Sequence, residues 1–154
     1  HRDLHSFPTR RSSDLRDKEF YQICNIYYDT IDDRLIRASI EKPVYKEKLR
    51  VRSYGAPDIN DSVFVEIKKK YNGIVNKRRT SMPLIEAYDY LNRHIYPDMD
   101  NVHLNKQVFR EIDYFTNYYK LVPKVYLSYD RRAYFEKNYG DFRVTYKIYQ
   151  SQDL

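Results

Sequence analysis

The chain has 154 residues, with 28 Lys and Arg against 22 Asp and Glu, 18 Tyr, one Cys, no Trp and 3 Gly. That length predicts one domain, and the longest uncharged apolar runs are only a few residues, against the roughly 20 that a membrane-spanning helix needs. Aromatic residues at 16% exclude a disordered tail, the scarcity of Gly and Pro excludes collagen-like or linker composition, and the lone Cys24, set in an apolar stretch, excludes an internal disulfide and reads as a small core residue.

Residues 1–15, HRDLHSFPTRRSSDL, show neither helical nor strand periodicity and none of the Tyr-rich texture that begins near Phe20. HSFPTRRSSDL is also one reading frame of a common sequencing-adapter oligonucleotide, and the segment lacks the apolar core of a secretion signal, so it is set apart from the domain as a non-native scar. Without it the balance is still 25 basic to 20 acidic residues. The end at Ser151-Gln152-Asp153-Leu154 follows a strand-like run directly, which suggests a piece of a longer domain spanning 16–154 here.

Phe20 to Asp29 reads as a strand entering a turn, and Leu35 to Ile40 as one helical turn before Pro43. Tyr45 to Tyr54 alternates, with Lys46, Lys48, Arg50 and Arg52 opposite Glu47, Leu49, Val51 and Ser53. A turn from Gly55 to Asp61 leads to Val63–Lys70, where Val63, Val65 and Ile67 oppose Phe64, Glu66, Lys68 and Lys70. Asn72-Gly73 is a strong hairpin signal, since both residues tolerate positive φ, and the strand after it, Ile74 to Met82, carries Lys77-Arg78-Arg79. A first helix from Pro83 places Leu84, Tyr88, Leu91 and Ile95 on one stripe, and a second does so with Val108, Ile112, Phe115 and Tyr119. Val122–Phe135 and Asp141–Tyr149 return to strand texture around a turn at Lys137 to Gly140. An α+β fold follows, an antiparallel sheet or barrel with inserted helices.

Cations at i and i+2 on a strand sit roughly 7 Å apart and repel by about 2 kcal/mol at an effective dielectric near 20. A solvated face would screen that repulsion and is the ordinary explanation of a Lys/Arg run. Here the opposite faces are apolar and demand a covering layer, so the basic face is left as a wall able to hold a polyanion. Nucleic acid is one candidate, with exposed Tyr residues stacking on bases. Against it, there is no Gly-rich aromatic strand motif, no basic recognition helix and no Cys/His zinc pattern, and most Tyr residues fall in strand and helix patterns where packing is the expected role. Phosphate chains are the other. His94 and His103 have no third ligand near them in sequence, and no Ser-His-Asp or Cys-His motif is present.

The runs YYDT (Tyr27 to Thr30), SIEKPVYKEKLRVRSYG (Ser39 to Gly55), VFVEIKKKYNGIVNKRR (Val63 to Arg79), YDRRAY (Tyr129 to Tyr134) and FRVT (Phe142 to Thr145) resemble, in order, the VTC domain of the vacuolar transporter chaperone polyphosphate polymerases, within the triphosphate-tunnel (CYTH-like) superfamily. The resemblance implies an antiparallel β-tunnel with a basic interior, incomplete in this chain. It also implies transfer of the terminal phosphoryl group of ATP onto polyphosphate, assisted by a divalent metal, commonly Mn2+, whose ligand lies outside this chain. Carried over by motif, Arg50 and Arg52 of RVR, Lys68 of EIK, Arg131 of YDR and Arg143 of FRVT form the catalytic set. Lys77 of NKRR binds phosphate, and Lys48 and Arg79 join it by sharing those faces. Glu66 is expected to orient Lys68 or to approach a metal.

The chain departs from the family pattern in lacking a strand with a basic-acidic motif before YYDT and a later strand with Glu and Lys. Lys147 also stands near where relatives often show Asp. The expectation for this piece alone is weak phosphate binding without catalysis. Two rivals stay open: a triphosphate hydrolase of the same superfamily, and a non-catalytic module for polyphosphate or nucleic acid. The single Cys and the absence of a signal suggest the cytoplasm, with attachment to a membrane through other parts of the protein left open.

Overall fold

The computed structural model describes residues 21–135 and 143–154. The adapter-like residues 1–15 and the turn expected at Lys137 to Gly140 lie outside the described residues. In chain order the elements are β1 (Tyr21–Asp29), α1 (Arg34–Ile40), β2 (Tyr45–Tyr54), β3 (Ser62–Tyr71), β4 (Ile74–Pro83), α2 (Leu84–Arg93), α3 (Lys106–Tyr119), β5 (Val122–Phe135) and β6 (Arg143–Asp153).

The six strands form one antiparallel sheet in the order β4-β3-β2-β1-β5-β6. β2, β3 and β4 follow one another through short connections. The β3–β4 turn is the expected hairpin, with Asn72 at φ 43° and Gly73 at φ 83°. β1 lies between β2 and β5, so the first described strand is central and pairs with a strand about a hundred residues later. The expected tunnel is not closed among the described residues: no strand bridges β4 and β6, which remain the two edges of an open sheet. Closure requires every edge to find a partner, and these six strands leave two without one.

Alternation separates the two faces as expected. Leu49 and Val51 of β2, Val63, Val65 and Ile67 of β3, and Met82 of β4 are buried on one side. There they meet Ala87, Tyr90 and Leu91 of α2 and Val108, Phe109, Ile112 and Phe115 of α3, with Tyr28 and Leu35 extending the cluster toward α1. Arg78 points to this helical side between Lys77 and Arg79 and is bonded to Glu111 of α3.

Local chemistry sets the helices. Asp29 accepts hydrogen bonds from the backbone N–H of Leu35 (2.8 Å) and Ile36 (2.9 Å), which fixes the start of α1. Asn105 caps α3 by accepting from the Val108 N–H at 3.1 Å, while its own N–H donates to Thr80 Oγ1 of β4 at 2.8 Å. The stripe expected for the first helix holds at Leu84 and Leu91, which pack on the core, and is corrected at Tyr88 and Ile95. His94, at φ 57°, ends α2 and leaves Ile95 outside it, and the buried face is Ala87, Tyr90 and Leu91, with Tyr88 half exposed. Tyr90 is drawn inward because its hydroxyl donates to Asp113 of α3 at 2.7 Å. The expected packing of the tyrosines is also corrected in part: Tyr54, Tyr71, Tyr114 and Tyr118, among others, are about half exposed or more.

Candidate functional site

Strand register decides which side chains can meet. Directly paired residues share a face, and two rows of pairs on the face opposite the helices carry most of the cations. Lys48, Lys68 and Lys77 stand opposite one another across β2, β3 and β4. The next row along the strands is Tyr27, Arg50, Glu66 and Arg79 across β1 to β4. Arg52 follows, paired with Asn25 on β1. Through Asn25 and Leu127 the same face continues onto β5 and β6, where Arg131 pairs with Lys147. For Arg143 the backbone pairing with Phe135 places its position on this face as well. One surface therefore gathers all eight positions singled out in the sequence.

An open cavity of about 360 Å³ lies over the β2–β4 half, lined by Tyr27, Lys46, Lys48, Arg50, Glu66, Lys68, Lys70, Val75 and Lys77. Glu66, 2% exposed, is its hub. Arg50 Nε donates to Glu66 Oε2 at 2.7 Å and its Nη2 lies 2.6 Å from the same oxygen. Oε1 makes no hydrogen bond and holds Lys77 Nζ at 3.3 Å and Arg79 Nη1 at 4.0 Å as ion pairs. Burial opposes ionisation of Glu66, but the Arg50 guanidinium, with Arg52 and Lys77 adding to it, outweighs burial and holds the carboxyl below its usual range. Burial likewise opposes the charge on Arg50, and Glu66 and Tyr27 overcome it.

Glu66 thus orients Arg50 and Lys77 and not Lys68, a correction that follows from register: Arg50 is the directly paired residue across the sheet. Lys46, Lys48, Lys68 and Lys70 have no hydrogen-bond or ion-pair partner among the described residues. Like charges placed directly opposite raise the energy of the empty face, and an anion seated between them lowers it.

Sequence reasoning missed two contributors. Tyr27 accepts a hydrogen bond from Arg50 Nη1 at 3.0 Å and lines the cavity. Asn25, 1% exposed, accepts from Arg52 Nε at 2.9 Å. An amide inside the apolar run of β1 was the available signal, since buried polar groups need partners. Farther along, Arg52 Nη2 donates to Tyr129 OH at 3.3 Å, and Lys147 lies over the Tyr129 ring at 5.2 Å. Arg131 packs over Tyr21 at 5.8 Å and keeps a buried Nε without a partner among the described residues.

The described residues do not compose a divalent-metal site. They contain no group of three or more His, Cys, Asp or Glu arranged to hold a metal ion. Glu66 Oε1 is also ion-paired with Lys77 and Arg79, cations that would repel such an ion. No helix is long and apolar enough to cross a membrane.

No curated protein matches the chain. A crystal structure described as a "putative adenylate cyclase" from Bacillus halodurans superposes with a TM-score of 0.56 at 16% identity, covering 90% of this chain and 64% of that one, so the chain spans less than two thirds of that structure. The family profile of the VTC domain matches residues 2–147. With the motifs, the sheet and this match in agreement, the chain belongs to the VTC domain family and carries the fold of the CYTH-like triphosphate-tunnel superfamily.

Proposed function

We propose that the basic sheet face binds triphosphate and polyphosphate, and that the domain transfers the terminal phosphoryl group of ATP to a growing polyphosphate chain. The observation that carries the reading is the cluster of unpartnered lysines, Lys46, Lys48, Lys68 and Lys70, beside Arg50 and Lys77 in one open cavity. Phosphoryl transfer asks a protein mainly for alignment and charge stabilisation, and this face supplies both kinds of group. Arg50, Arg52 and Arg131 offer planar donors that fit phosphate oxygens, and the lysines are movable point charges. Arg143 belongs to the catalytic set by its motif and its place on the face. Mn2+ is the proposed metal, supplied by groups other than the described ones, and the placement proposed for the protein is cytoplasmic.

The test is calorimetric titration of the 154-residue chain with tripolyphosphate, ATP and a single-stranded oligonucleotide. Weak but saturable binding of tripolyphosphate, reduced at least tenfold in Lys48→Glu and Lys68→Glu, is the expected result. Oligonucleotide affinity that survives excess tripolyphosphate would overturn it. Incubation of a longer chain carrying the complete domain with ATP and Mn2+ separates the two chemistries: chain growth on a gel marks a polymerase, phosphate release without polymer marks the hydrolase, and the 154-residue chain alone should show neither.

A further inference from the structure

Arg50 and Arg52 are two residues apart on β2, share the basic face, and are each gripped by the Nε edge of the guanidinium, but by groups of different charge. Arg50 is held from β3 by the Glu66 carboxylate, through Nε at 2.7 Å and Nη2 at 2.6 Å. Arg52 is held from β1 on the other side by the neutral Asn25 amide, through Nε at 2.9 Å. The Asn25 amide cannot turn over without loss, because its Nδ2 donates to the Leu127 carbonyl of β5 at 3.1 Å, which fixes Oδ1 toward Arg52. No carboxylate lies within ion-pair distance of Arg52 among the described residues. A guanidinium only 8% exposed is thereby locked in place with no carboxylate bonded to it and both Nη1 hydrogens uncommitted, its charge reaching Glu66 only at longer range.

We propose that Asn25 is the positioning residue that presents Arg52, with no directly bonded carboxylate, as a grip on the triphosphate, while Arg50, ion-paired with Glu66, serves as the clamp that sets the cavity wall. This rests on the phosphate reading of the face and names the residue that makes its two central arginines unequal. An amide achieves what a carboxylate could not: the same hydrogen-bond geometry at Nε without cancelling the charge the ligand needs.

Calorimetry of tripolyphosphate binding to the full 154-residue chain from 50 to 300 mM salt tests it, with thermal melts reporting the fold of each variant. Asn25→Asp turns the amide into a second neutralising carboxylate. Its affinity should fall at least tenfold, and the slope of log K against log salt should shrink by about one. Asn25→Ala should keep the slope and weaken binding several-fold. Asn25→Asp with wild-type affinity and slope would overturn the proposal, and so would equal losses in both variants at an unchanged slope, the mark of a merely structural role. Should Asn25→Asp not fold, wild-type affinity in Asn25→Ala is the overturning result.

Nitrogen NMR of the wild-type chain needs no variant: added tripolyphosphate should move the Arg52 side-chain signals more than those of Arg50, and the reverse order would sink the idea. A wild-type chain that does not bind tripolyphosphate at all overturns the phosphate reading together with this one. Binding by the wild type with indifferent Asn25 variants overturns this one alone.

Discussion

Glu66 sits among Arg50, Lys77 and Arg79 at 2% exposure, and removing its charge leaves three cations facing one another. Glu66→Gln should therefore cost about 3 kcal/mol in urea unfolding, as loss of one partner of a buried ion pair does. Because the folded carboxyl lies below its ordinary value, its stabilisation is complete above the unfolded pKa of roughly 4.3 and is lost as pH falls through the folded value. The acid limb of the stability curve should accordingly be shallower in Glu66→Gln. At the alkaline end, burial first and Tyr88 second push the Tyr28 phenol up from 10.0 to about 12. Its contribution is present below pH 10 and lost as pH rises from 10 to about 12, and Tyr28→Phe should remove that decline, which pH-dependent melts would show. At this scale the sequence named the cations but not their tethers. Alternation told which residues share a face, whereas the pairing of Arg50 with Glu66, and of Arg52 with Asn25, depends on registers between strands that no local pattern encodes.

Elements were legible to within a residue or two wherever period-2 alternation and turn chemistry agreed, as in β2, β3 and β4. The β3–β4 hairpin rests on Gly73 at φ 83°, where an added Cβ would meet nothing within 4 Å. Gly73→Ala should then cost only the backbone strain, about 1 kcal/mol, read from chemical denaturation. Phe109 of α3, 1% exposed and 4.8 Å from the Tyr90 ring, belongs to the core between α2 and α3. Phe109→Ala should cost 3–5 kcal/mol, roughly the range for emptying a buried aromatic site. Spacing places Leu84 and Leu91 on the packed side of α2 but misplaces Tyr88 and Ile95, because a helix's rotation is set by what it packs against. The bond from Tyr90 to Asp113 of α3 and the stop at His94 settle it, and neither shows in the spacing of apolar residues.

For the molecule as a whole, the ligand and the fold should support each other. Tripolyphosphate at a hundred times its dissociation constant should raise stability by about 2.7 kcal/mol, visible as a melting shift that shrinks as salt rises. The two open edges of the sheet give those same cations a second consequence. Among the described residues neither β4 nor β6 has an outer neighbour, and β4 exposes Ile74 and Val75 near its hairpin end. Lys77, Arg78 and Arg79 on β4, and Lys147 on β6, are the kind of charge that keeps bare strand edges from adding to one another. A polyanion that neutralises Lys77 and Lys147 removes that guard, so the chain should resist self-association best when its ligand is absent. Light scattering should rise near charge balance with long-chain polyphosphate and clear again in excess.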